Sequence, residues 1–241
     1  MRTAVLLLSV LLLPACLGLR LTDKLSKDAG EILAEAATNR TIRQCSCQEQ
    51  HDCITEAKAQ LLDCFHDCWH VVKSITNDPE ALKNCATQKL PLLENFVQCM
   101  EMNMQTCHPS EQGPQISYID YNKVIASAEG RIRKQTLKLT KSIGSNVKKL
   151  VDAVLDLGVC GKECFLKKNT GGFCFDRKGC QPKIEVSAAV KSLKKCAATV
   201  QWKKTAGETC QCAVNAGVSS LQQYCPMLGG LERTRTPKKA D

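Results

Sequence analysis

The chain has 241 residues and a formal net charge of +9, from 33 Lys and Arg against 24 Asp and Glu. Only 4% of the residues are aromatic while 17 are cysteine, so any hydrophobic core is small and has to be stapled. Beyond the N-terminal residues no stretch approaches the roughly 20 apolar residues that cross a bilayer, which excludes a transmembrane segment.

Residues 1–18 read as a signal peptide. Arg2 precedes the apolar run Ala4 to Leu13, and small residues, Cys16 and Gly18, precede the expected cut after Gly18. An exported chain that keeps sixteen cysteines, an even number, reads as a disulfide framework, whereas the same density in a cytosolic chain would suggest metal binding. Residues 19–44 form an N-terminal amphipathic segment. It contains the sequon Asn39-Arg40-Thr41, so Asn39 is the candidate N-glycosylation site.

The cysteines then fall into two groups of eight. The first, within residues 45–110, is Cys45, Cys47, Cys53, Cys64, Cys68, Cys85, Cys99 and Cys107. Apolar residues recur at helical spacing from Cys53 to Ile75. Asn77-Asp78-Pro79 stops that helix, and Asp78 can cap the next one with Pro79 in its first turn and Glu80 at its positive end. Pro91 predicts a kink or a break into two helices. Facing residues of an antiparallel helix hairpin have a nearly constant sum of residue numbers. Cys68–Cys85, Cys53–Cys99 and Cys45–Cys107 satisfy that rule and are the expected bonds, with Cys47 and Cys64 left over.

Residues 117–157 read as one long connecting helix, capped by Ser117 and Asp120 and stopped at Gly158, with Gly130 and Gly144 as weak points. One face is apolar. The other carries Arg131, Arg133, Lys134, Lys138, Lys141, Lys148 and Lys149, a solvated face or a polyanion-binding stripe.

The second group, within residues 158–230, is Cys160, Cys164, Cys174, Cys180, Cys196, Cys210, Cys212 and Cys225. It repeats the first in outline. Cys64-Phe65-His66-Asp67-Cys68-Trp69 is echoed by Cys160-Gly161-Lys162-Glu163-Cys164-Phe165, and Leu82-Lys83-Asn84-Cys85-Ala86 by Leu193-Lys194-Lys195-Cys196-Ala197. An insertion at residues 170–180 suggests a small turn or hairpin. For bonds here the clues conflict: the repeat favours Cys164–Cys196, whereas matching sums favour Cys196–Cys210 and Cys180–Cys225. Residues 231–241 read as a disordered basic tail.

The fold class expected is therefore all-α, with two disulfide-stapled helical units joined by a basic amphipathic helix. Charge is divided between the halves: residues 19–119 hold 9 Lys and Arg against 14 Asp and Glu, residues 120–241 hold 23 against 10. Such a divide marks a polyanion-binding half, or lets the acidic and basic halves attract each other.

The stretches Cys174-Phe175-Asp176-Arg177-Lys178-Gly179-Cys180, Val190 to Ala197 and Cys210 to Val218, ending in Tyr224-Cys225-Pro226, resemble the nematode secreted family that carries the chondroitin proteoglycan 4 domain. The resemblance is best over residues 158–228. It implies a secreted cysteine-rich helical module associated with chondroitin and brings no catalytic residues. The chain departs from proteoglycan cores in having no Ser-Gly dipeptide, which leaves binding of such glycans rather than carrying them.

Enzyme chemistry is weakly signalled. His66 and His70 have the i, i+4 spacing of a zinc helix, but Asp67 stands where a metalloprotease has its Glu, and no third ligand follows. No phosphate-cradling loop or carboxylate pair appears, and a cysteine nucleophile is unexpected where all can pair. The expectation is a non-catalytic, secreted extracellular protein without cofactor or metal. Its partners are acidic glycans or another extracellular protein, and nucleic acid is disfavoured because no aromatic residues interleave the basic run. A secreted effector or inhibitor that binds a protein is the alternative, and a lipid- or membrane-surface module the further one.

Overall fold

Helix α2 (Cys47–Cys68) begins where it does because Ser46 caps it. The Ser46 hydroxyl accepts the Glu49 N–H, and the Glu49 carboxylate accepts the Ser46 N–H at 2.8 Å, a reciprocal box that satisfies two otherwise orphaned donors. Arg43 locks the box from outside with two bonds to Glu49, at 2.6 and 2.9 Å. The computed structural model describes residues 20–140 and 145–229, with side chains except at 20–26, 138–140, 145–147 and 202–203. The predicted leader at 1–18 and basic tail at 231–241 lie outside the described residues, as does Lys141.

Before α2, helix α1 (Arg20–Ala36) runs directly into strand β1 (Ala37–Gln44). After α2, a 3-10 turn (Trp69–Ser74) buries Trp69, whose indole N–H donates to the Pro79 carbonyl. Asp78 then caps α3 (Pro79–Thr87) by accepting the Ala81 N–H, and α4 (Leu90–Met104) starts with Pro91 in its first turn. The predicted cap and the break at Pro91 are both present. Strand β2 (Gln115–Ile119), α5 (Tyr121–Thr140) and α6 (Ser145–Lys168) follow. The chain ends in α7 (Cys174–Arg177), β3 (Cys180–Gln181), α8 (Val186–Thr199), α9 (Trp202–Asn215), a 3-10 turn (Ser219–Leu221) and α10 (Cys225–Gly229).

The fold is helical and cysteine-rich, with one small sheet of order β2-β1-β3. β1 pairs antiparallel with β2 (Thr41 with Ser117, Arg43 with Gln115) and parallel with β3 (Gln44 with Gln181). The buried Gln181 side chain extends the ladder, donating to the Ile119 carbonyl and accepting the Ile119 N–H.

The single connecting helix expected over 117–157 is not present. Ser117 lies in β2, Asp120 caps α5 by accepting the Asn122 N–H, and Gly158 lies inside α6 rather than ending it. Lys162 of α6 reaches Glu129 of α5 at 3.0 Å, whereas one straight helix would hold residues so far apart in sequence about 50 Å from each other. The two helices fold back on one another. Residues 170–180 hold the expected turns, at 169–171 and 178–179, but in place of a hairpin these flank the short helix α7 and lead into strand β3, with Gly179 at the left-handed φ of 64° between them.

None of the three expected disulfides forms. Cys68 is bonded to Cys160 rather than Cys85, Cys53 to Cys174 rather than Cys99, and Cys45 to Cys180 rather than Cys107. Cys64 is bonded to Cys164, Cys85 to Cys212 and Cys99 to Cys196. Only Cys47–Cys107 and Cys210–Cys225 stay within a group. The pairings Cys164–Cys196, Cys196–Cys210 and Cys180–Cys225 are absent. The physical reason is which helices are neighbours. α2 lies along α6, α4 along α8 and α3 against α9, so each helix of the first half meets one of the second. Cys64 and Cys68, one turn apart on α2, meet Cys164 and Cys160 in reverse order on α6, as antiparallel helices require.

The cores are correspondingly small and joint. Cys45, Cys53, Cys174, Phe175 and Cys180 pack as one cluster, and Phe96 packs with Cys196, Ala197 and Val200 as another. The largest joins Leu150 and Val151 of α6 to Ala206, Ala213, Val218, Leu221 and Leu228. Half-cystines thus fill core positions that aromatic residues occupy elsewhere, each bond crossing between halves adding roughly 2–5 kcal/mol when taken singly. Two close approaches demand glycine: a Cβ on Gly207 would lie 2.5 Å from the Gly229 Cα, and Gly217 takes φ 91° where the Ala216 carbonyl accepts the buried Thr76 hydroxyl.

Candidate functional site

The basic stripe divides by what each residue touches. Arg131 faces α1 and is engaged three times, bonding Glu31 at 2.6 Å, Glu35 at 2.7 Å and Asp28 at 3.3 Å. Two neighbours on α5 complete the junction: Gln135 donates to Asp28 and Ser127 to Glu35. The Arg131 guanidinium holds the Glu31 carboxyl below its ordinary range through this hydrogen bond, and Glu31 in turn raises Arg131. Arg131 is therefore a structural tie between α1 and α5.

The other described side chains of the stripe point outward. Arg133 is exposed, with Glu129 one turn away at 3.5 Å, and Lys148 is exposed, with Asp152 one turn away at 2.7 Å. Such i, i+4 partners on an exposed face hold weakly, at about 0.3–0.5 kcal/mol. Lys134 and Lys149 are exposed and have no carboxylate partner among the described residues. Lys138 lies in the last turn of α5, but its side chain is outside the described ones, as is the whole of Lys141.

Elsewhere the charge divide closes on itself. Arg177 bonds both carboxylate oxygens of Glu56. Lys178 pairs with Asp52 at 3.2 Å, Lys168 with Asp63 at 3.2 Å, and in the opposite sense Lys89 pairs with Glu208 at 2.9 Å. With Arg131 these contacts line the seams between the two halves. Sequence reasoning raised mutual attraction as one meaning of the asymmetry, and the geometry shows it operating within the chain.

Asn39 is exposed on β1, within the stretch where the pairing with β2 slips between Ala37 and Thr41. Thr38 donates to the Tyr118 carbonyl and Arg40 lies 4.8 Å from the centre of the Tyr118 ring, so the residues flanking Asn39 are anchored while its side chain faces outward. The Tyr118 hydroxyl donates to Asp176, and burial followed by that contact raises its pKa.

The His66 to His70 motif and one further cluster carry metal-ligating groups. Cys68 of the His66 to His70 motif is in a disulfide, and the His70 Nδ1 lies 2.9 Å from the Asp67 carbonyl. Cys45, Glu49 and Cys180 converge within 4.8 Å. Two of them form a disulfide, however, and Arg43 with Ser46 holds Glu49 ionised, its pKa lowered to about 2. That convergence belongs to the joint where β1, β3 and α2 meet. Its visible signal in sequence is the capping pattern Ser46-Cys47-Gln48-Glu49, which cysteine spacing alone does not reveal.

No helix among the described residues is long and apolar enough to cross a membrane. Compared with known proteins, the chain matches no family model, no curated protein and no solved structure.

Proposed function

We propose that this chain is a secreted, non-catalytic extracellular protein that binds acidic glycans through the exposed cations of α5 and α6. The observation that carries the reading is the contrast on one stripe. Arg131 is consumed by three carboxylates, while Arg133, Lys134, Lys148 and Lys149 face outward with weak partners or none among the described residues. Internal pairing cannot exhaust the basic excess, because the chain carries 33 cations against 24 carboxylates. The pairing of all sixteen cysteines after Cys16 supports export to an oxidising compartment and leaves no described thiol as nucleophile. The resemblance to the chondroitin proteoglycan 4 family points to the same ligand class.

Retention on immobilised chondroitin sulfate at two salt concentrations tests it. Binding through exposed cations weakens steeply as salt rises. K134Q/K149Q should elute markedly earlier than the unaltered chain. Unchanged elution of R133Q/K134Q/K148Q/K149Q would remove this face from the account.

A further inference from the structure

The eight disulfides are not equally sheltered. In seven of them at least one cysteine is buried: Cys45, Cys53, Cys64, Cys68, Cys85, Cys196 and Cys210 are each at most 4% exposed. Cys47–Cys107 alone has no buried member, Cys47 being exposed and Cys107 half-buried. It is also one of the two bonds that do not cross between the halves. The backbone around it is tied independently, since the Cys47 N–H donates to the His108 carbonyl, the His108 N–H to the Cys45 carbonyl and the Lys183 N–H to the Thr106 carbonyl. Opening this bond therefore leaves the inter-half clamps and the local backbone in place.

The two sulfurs differ as leaving groups. Cys47 is the first residue of α2, a helix of 22 residues, and the positive end of the helix dipole favours a thiolate there even though the Cys47, Glu49 and Gln50 N–H groups already have partners. The nearby Glu49 carboxylate would oppose that charge, but Arg43 offsets it with two hydrogen bonds. Exchange is faster when the departing thiol has the lower pKa.

We propose that Cys47–Cys107 is a thiol-exchange site at which the folded protein is modified by a small external thiol. The external thiolate attacks the Cys107 sulfur and forms a mixed disulfide there. The Cys47–Cys107 bond breaks, its electron pair leaves on Cys47 as a thiolate, and the other seven bonds remain. No outside oxidant is needed, because one disulfide replaces another.

The test is brief incubation of the intact folded chain with reduced glutathione, followed by iodoacetamide and peptide mapping without reduction. The expected product carries glutathione on Cys107 and carbamidomethyl on Cys47, and forms about tenfold or more ahead of the opening of any other bond. Earlier opening of one of the seven, or glutathione placed on Cys47, overturns the proposal. C47A/C107A, which keeps every inter-half bond, should take up no glutathione in the same interval. Uptake at the unaltered rate would overturn the proposal as well, and the map of the unaltered chain decides even where that variant does not accumulate.

Discussion

Cys64 of the first cysteine-rich half is bonded to Cys164 of the second, with Cα atoms 5.6 Å apart. In the internal repeat Cys64 corresponds to Cys160 and Cys68 to Cys164, so exchanging the halves turns this bond into its neighbour, Cys68–Cys160. Cys99–Cys196 likewise turns into a bond close to the observed Cys85–Cys212. The two copies clasp one another much as identical subunits do across a twofold interface, within one chain.

Removing one rung of that clasp should cost stability without changing the partners of the others. C64A/C164A opens a bond spanning 100 positions and should lower unfolding free energy by about 2–5 kcal/mol. A guanidinium titration of the folded variant against the unaltered chain measures the shift in midpoint.

The tie at Arg131 should control α1. Among the described side chains of α1, at 27–36, only Ala36 is buried, so the contacts of Arg131 with Asp28, Glu31 and Glu35 carry much of the docking of that stretch. R131Q should speed amide exchange across residues 27–36 while leaving α2 protected. Because Glu31 is held below its ordinary 4.5, its contribution is present above that pH and fades as pH falls through the lowered value. Protection of the α1 amides, measured relative to the intrinsic exchange rate at each pH, should therefore fall in acid, and more salt should mimic the effect.

The cap on α2 should show a second acid-sensitive window. Glu49 titrates near 2 in the folded protein against 4.5 in the free side chain. Its stabilisation is full above about pH 4.5 and is lost between there and about 2 as the carboxylate protonates. E49Q should be less stable at neutral pH, and its difference from the unaltered chain should shrink as pH falls through that window. S46A should cost about 1 kcal/mol at neutral pH, read from thermal unfolding.

Much of the helical plan was legible because its signals are local. Asp78-Pro79 announces a cap within four residues, and Pro91 announces a break at its own position. The bonds were not legible, because the rule of constant sums holds for any antiparallel pair but does not say which helices pair. Applied to Cys64, Cys68, Cys164 and Cys160 it works across α2 and α6; it misleads within residues 45–110 because the neighbour of α2 is α6 and not the next helix. The basic stripe was found, yet the engagement of Arg131 was hidden, since its carboxylates lie about 100 positions earlier on a helix with no signal pointing toward α5. Strand β1 is polar apart from Ala37 and Ile42, and β2 is only five residues long, so neither shows a period of two.

Asn39 should carry a glycan when the chain is made in a eukaryotic secretory pathway, because the sequon sits exposed where the pairing of β1 slips. Treatment with an N-glycosidase should bring the gel mobility to that of N39Q and convert Asn39 to Asp, and the N39Q protein should unfold at an unchanged midpoint.

Peptide mapping of the untreated, non-reduced protein tests the central claim most directly. Peptides bearing Cys64 and Cys68 should be recovered joined to those bearing Cys160 and Cys164, with Cys99 joined to Cys196 and Cys85 to Cys212. Recovery of Cys68 joined to Cys85, or Cys53 to Cys99, would mean two separately stapled units and would contradict the interlocked fold.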